Sequence, residues 1–82
     1  MVYKFVVDQE KFKRKVINHY KKYINDGDYT LTRCYEMLAC ECEVIQRTIY
    51  NFTNNIYSIQ LLMKIIDVLK VKDLEEILKQ VD

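Results

Sequence analysis

Proline and tryptophan are absent from this chain of 82 residues, and glycine occurs once, at Gly27. Without those residues there is little material for the hairpin turns and flexible linkers of sheet proteins, so short helix-helix connections are favoured and the chain reads as nearly all-α. Long apolar runs are missing too. Nothing approaches the roughly 18 residues of a membrane span, and Val2-Tyr3-Lys4-Phe5-Val6-Val7 is too short and too close to charge for a secretion signal. A soluble, cytoplasmic protein is the expectation. The cysteines are few and odd in number: Cys34, Cys40 and Cys42 form C-x5-C-x-C, with the single histidine, His19, far away. That spacing matches no strong zinc or iron-sulfur pattern, and Cys40 and Cys42 are too close in a helix to pair comfortably. Neither a metal centre nor a disulfide framework is expected, which favours a reducing compartment. No nucleophile-base pair, Gly-rich phosphate loop or carboxylate dyad is present, so the pattern points to no enzyme chemistry, cofactor or small-molecule substrate.

What the chain does have is apolar content, at 50% of residues, enough for one compact domain and too little length for two. The formal charge of +1 argues against strong non-specific attraction to phosphate or lipid, but it is unevenly spread. Residues 1–27 carry seven Lys/Arg against three Asp/Glu, residues 28–57 two against four, and residues 58–82 four against five. The basic surplus lies ahead of the middle of the chain.

The apolar spacing predicts a five-helix bundle spanning residues 9–78, preceded by an arm over 1–8 and followed by a tail over 79–82. In the arm, Tyr3, Phe5 and Val7 share one side of an extended segment, which reads as a short strand or as an arm laid over an apolar groove. Asp8 is the expected N-cap of a first helix reaching about Asn25. Its stripe is Phe12, Val16, Tyr20 and Ile24, widened by Ile17 and Tyr23, with the lysines mostly elsewhere. Gly27 ends it, being able to enter the left-handed region without steric cost. A second helix fits Leu31 to about Cys42, capped by Thr30 or Thr32 and burying Cys34, Leu38 and Cys42. A third fits Ile45 to Thr53, closed by Asn54 and Asn55. Ser58 caps a fourth with the stripe Ile59, Leu62, Met63, Ile66 and Leu69. Lys72 or Asp73 opens a fifth through Leu74, Ile77, Leu78 and Val81.

Two blocks carry a family resemblance. Leu38-Ala39, Cys42, Val44, Ile49 and Phe52 match, without gaps, the apolar and turn positions of the Cro and lambda-repressor type helix-turn-helix family of DNA-binding domains. The run from Ser58 to Val71 resembles that family's fourth helix, which ends in Leu-x-Val before a last short helix. With the first helix, the likeness covers about residues 10–78. It implies a lambda-repressor-like fold in which the second motif helix lies in the major groove of double-stranded DNA. By position it places Gln46, Arg47, Tyr50 and Asn51 on the face that meets bases and backbone, and Asn54 where the family contacts phosphate. The residue types suit the task, since Gln and Asn pair with adenine, Arg with guanine, and Tyr with sugar or phosphate.

The resemblance further implies a small repressor of phage or mobile-element type, acting as a homodimer on half-sites about 34 Å apart. Several positions depart from the family pattern. Glu43 stands where the family usually has Gly, at a turn position whose left-handed backbone costs a residue with a side chain about 1 kcal/mol. Val44 or Ile45 replaces the usual Ser or Thr cap, and Tyr35 replaces a phosphate-clamping Gln. Leu31-Thr32-Arg33 echoes the family's Leu-Thr-Gln start two residues early. Glu36, Glu41 and Glu43 add negative charge to the elements that would approach phosphate. Those features motivate the second expectation, a helix-turn-helix-shaped protein-interaction module, an inhibitor or adaptor, with weak or no DNA binding.

Overall fold

Asp8 sets where the first helix begins, its carboxylate accepting the backbone N–H of Lys11 at 3.1 Å. The computed structural model describes residues 4–23 and 31–81. The Asn25–Gly27 turn, Ile24 of the first stripe and the Thr30 cap fall outside them. A strand, β1 (Lys4–Val7), leads into α1 (Gln9–Tyr20), which tightens into a 3-10 turn at Lys21–Tyr23. Then follow α2 (Leu31–Glu41), α3 (Gln46–Thr53), α4 (Ile59–Leu69), a 3-10 turn at Leu74–Glu76, and β2 (Leu78–Val81). The chain is mostly helical, with four α-helices and a two-stranded sheet among the described residues.

The α1 stripe buries Phe12, Val16 and Tyr20 completely, whereas Tyr23, expected to widen it, is 59% exposed because the 3-10 turn changes the helical phase there. Against that stripe α2 packs Cys34, Tyr35, Leu38 and Ala39, and α3 packs Ile49 and Phe52. Ser58 caps α4 as expected, its Oγ accepting the Leu61 N–H at 3.2 Å. The buried side of α4, however, is Leu61, Leu62, Ile65 and Leu69, and two members of the expected stripe, Ile59 and Met63, are 63% and 64% exposed. This helix is apolar almost all round, so its spacing offers two overlapping stripes and periodicity cannot choose between them.

Helix ends explain how the chain manages with so little glycine. After α2, Val44 N–H donates to the Ala39 carbonyl and Glu43 N–H to that of Cys40; after α3, Ile56 N–H donates to Asn51 and Asn55 N–H to Phe52. Both are Schellman closures with a left-handed residue, Glu43 at φ 59° and Asn55 at φ 67°. Lys70, at φ 55°, closes α4, with Val71 N–H donating to the Ile66 carbonyl.

The fifth helix is not formed. Asp73 caps only the single turn Leu74–Glu76, and the residues after Ile77, read above as the end of that helix running into a tail over 79–82, are β2, antiparallel to β1 with Val7 opposite Leu78 and Phe5 opposite Gln80. The spacing of Leu74, Ile77, Leu78 and Val81 mimics a helix, yet Leu74 is 45% exposed while Ile77 and Leu78 are buried side by side. A helix this short has little stability of its own, and the backbone groups of β1 require a partner. The N-terminal segment, left open above as strand or arm, is therefore a strand.

Polar contacts hold this C-terminal segment on α1. Glu76 takes the Lys15 ammonium at 2.6 Å on Oε1 and the backbone N–H groups of Lys72 and Asp73 at 2.8 Å on Oε2, while Lys11 Nζ donates to the Glu75 carbonyl at 3.1 Å. The Lys15 hydrogen bond first, and then the backbone bonds of Asp73 and Lys72, lower the Glu76 pKa to about 2. A carboxylate held below its unfolded value of about 4.5 contributes stability that is complete above that pH and is lost as the pH falls toward about 2. Denaturant unfolding of wild type and Glu76→Gln is therefore expected to show the variant less stable at neutral pH, with the gap closing below about pH 4.5. A gap that stays constant with pH would remove Glu76 from the acid response.

Candidate functional site

The helix α3 is amphipathic and packs mainly on α2, leaving one long side uncovered. Its first residue has no side-chain cap: Ile45 occupies the N-cap position at φ −81°, ψ 158° and offers no acceptor, and only its carbonyl is engaged, by Thr48 N–H at 3.0 Å. The helix thus begins with N–H groups that no capping side chain satisfies.

Gln46, Arg47, Tyr50, Asn51 and Asn54 all lie on this uncovered side, opposite the buried Ile49 and Phe52. They are not equally free. Arg47 is exposed. Gln46 is half-buried, with its Nε2 donating to the Thr32 carbonyl at 3.3 Å, which ties the start of α3 to the first turn of α2. Tyr50 is 37% exposed and stands edge-on to Tyr35, ring centres 5.2 Å apart. Asn51 is half-buried. Asn54 closes the helix and donates from Nδ2 to the Tyr50 carbonyl at 3.1 Å.

Spacing alone did not single out Thr48, Gln60 and Lys64, which border with Asn51 a hollow of about 220 Å³ between α3 and the start of α4. The signal was present in part: Val44, Thr48 and Asn51 are one and two turns apart, and Val44 and Asn51 also line the hollow. Gln60 and Lys64 belong to another helix and meet it only through the fold. The Lys64 ammonium rests 3.3 Å from the Cys42 carbonyl, a cation at the C-terminal end of α2.

Tyr35 does not reach outward from α2. It is buried between Phe12, 5.7 Å away, and Tyr50, and burial followed by the influence of Tyr50 pushes its hydroxyl up to about 12. Glu36, Glu41 and Glu43 are all exposed. Cys34 and Cys42 are buried, which pushes their thiols up, and Cys40 is exposed. Among the described residues no group of three or more His, Cys, Asp or Glu could hold a metal ion, and no helix is long and apolar enough to cross a membrane. His19 is half-buried edge-on to Tyr20 at 4.6 Å; burial lowers its pKa, opposed by Glu41 and reinforced by Lys22.

Glu43 carries a conformational cost, its left-handed backbone. Its backbone cost of about 1–2 kcal/mol exceeds the chain entropy of about 0.4–1 kcal/mol that glycine brings to the unfolded state. Glu43→Gly is thus expected to stabilise the domain by about 0.5–1 kcal/mol in urea titrations. Destabilisation would show that the Glu43 side chain makes a compensating contact. The chain matches no protein-family model, no curated protein and no solved structure.

Proposed function

We propose that the chain is a sequence-specific double-stranded-DNA-binding regulator of helix-turn-helix type, with α3 as the element laid in the major groove and a homodimer as the binding species. The observation that carries the reading is the uncovered side of α3. It groups an exposed Arg47 with Tyr50, Asn51 and Asn54 on a helix whose opposite side is locked into the core. Uncapped N–H groups at the start of that helix suit a phosphate, and in this reading the preceding α2 is the helix that crosses the backbone. Arg47 is the candidate reader of guanine and Asn51 of adenine, with Tyr50 and Asn54 toward the sugar-phosphate chain. Ile45 and Ile56, both exposed, flank this side and suit thymine methyl groups. A small repressor, with operator occupancy set by its own concentration, is the favoured form of this regulator.

A second reading, a protein-interaction module of the same shape, draws on the exposed carboxylates of Glu36, Glu41 and Glu43, which repel phosphate and suit a basic partner. Binding to random duplex DNA at about 50 mM salt separates the two. A DNA binder gives a log–log salt slope of about −0.9 per phosphate contacted, and absence of binding refutes the first reading. On a site selected from random duplexes, Arg47→Ala is expected to cost about 1–3 kcal/mol and to relax preference at one base pair. Unchanged affinity and preference would strip Arg47 of its role.

A further inference from the structure

Among the described residues, Ile59 and Met63 are large, apolar and exposed, and lie one turn apart on the outer side of α4. Ile66, only partly buried, continues this strip by a further turn. Met63, Lys64, Ile66 and Asp67 line an open groove of about 510 Å³. The core takes the other side of the same helix, through Leu61, Leu62, Ile65 and Leu69. An apolar strip of this kind on a helix whose inner side is already satisfied marks a surface that another molecule covers.

The charges beside the strip identify the occupant. Lys64 and Asp67 are separated by three residues, with opposite signs, along the same edge of the strip. The Asp67 carboxylate has no hydrogen bond or ion pair among the described residues, and the Lys64 ammonium uses one of its three donors on the Cys42 carbonyl. A two-fold axis that sets two copies of α4 antiparallel, passing between the levels of Ile65 and Ile66, brings each Lys64 level with the other copy's Asp67. It also sets each Ile66 beside its own counterpart, with Met63 just outside it on the same strip. The edge is complementary to itself under that operation, as an isologous interface requires. A basic or an acidic foreign partner would leave one of the two charges facing its own sign.

We infer that the outer face of α4 is where two copies of this chain pair, antiparallel, with Met63 and Ile66 at the centre and Lys64–Asp67 pairs at the rim. This rests on the homodimer proposed above and names its surface. One face of an 11-residue helix buries an area at the small end of specific interfaces, below about 1,200 Å² in total. The dimer is accordingly weak, dissociating in about the micromolar range.

Sedimentation equilibrium of the whole chain without DNA, up to about millimolar concentration, tests it. Met63→Glu, at a position 64% exposed, is expected to keep the wild-type melting profile and to weaken self-association at least tenfold. Lys64→Asp and Asp67→Lys are each expected to weaken it as well, while an equimolar mixture of those two variants associates more tightly than either alone. A wild type that stays monomeric, or dimers indifferent to all three substitutions, would overturn the inference. So would a mixture that associates no better than its components. The DNA reading is judged separately, by binding of Met63→Glu to a single half-site duplex: retained binding with lost self-association supports the surface, and loss of half-site binding in a wild-type monomer sinks the DNA reading instead.

Discussion

The position of α3 depends on one aromatic junction. Phe12, fully buried in α1, has the Phe52 ring 5.0 Å away and the Tyr35 ring 5.7 Å away, and Phe52 in turn meets Tyr57 at 4.7 Å. Three helices therefore meet at Phe12, and the loop before the fourth joins them through Phe52. Because α3 packs mainly on α2, Phe52 is its principal anchor to the rest of the core, and the direction in which Arg47, Tyr50 and Asn51 point follows from how Phe52 sits on Phe12. Tilted rings at these separations favour a defined packing angle over a sliding one. The outer surface of α3 is thereby held by the inner surface of α1, although few other contacts join those helices.

The basic residues of α1 have a second use that their spacing conceals. Read as sequence they form a solvated fringe on an amphipathic helix, yet Lys11 and Lys15 reach the C-terminal segment, one on the Glu75 carbonyl and the other on Glu76. Lys15 is 28% exposed and its partner 33%, so solvent screening tempers the stability the pair adds, and its further effect is to fix the position of the C-terminal segment on α1. The charge surplus in the first third of the chain is to that extent structural. The α2–α3 region carries Glu36, Glu41 and Glu43 against Arg33 and Arg47, and Lys64 of α4 reaches the end of α2.

Where a residue type performs a local task, the sequence announced the structure: Asp8 and Ser58 are acceptors at helix starts, Asn55 tolerates left-handed backbone, and Glu43 occupies the turn that needed glycine. The uncovered side of α3 was legible for the same reason, since the buried Ile49 and Phe52 define its opposite. What depended on partners distant in sequence was hidden. Periodicity could not tell which side of α4 the core would take, and it read β2 as helix because four apolar residues at helical spacing look alike until β1 is known to need a neighbour. Thr48 and Gln60 became visible as neighbours only once α3 and α4 were placed together. The hydroxyl of Tyr20 is buried with no hydrogen-bond partner among the described residues, a feature that composition cannot reveal.

The two-stranded sheet joins segments from opposite ends of the described chain, and the bonds around it share that reach. Val7 N–H donates to the Asn55 side chain across 48 residues, and the two lysine contacts to the C-terminal segment span 61 and 64. Helices of this length nucleate and grow on a microsecond scale from local contacts, whereas closing so long a loop gains its enthalpy only when both ends arrive on a formed core. On these grounds the sheet is expected to form late in folding and to open before the helical core. The amide of Val7 and those of β2 report that opening directly, and their hydrogen exchange separates unlatching of the chain ends from dissolution of the helical core.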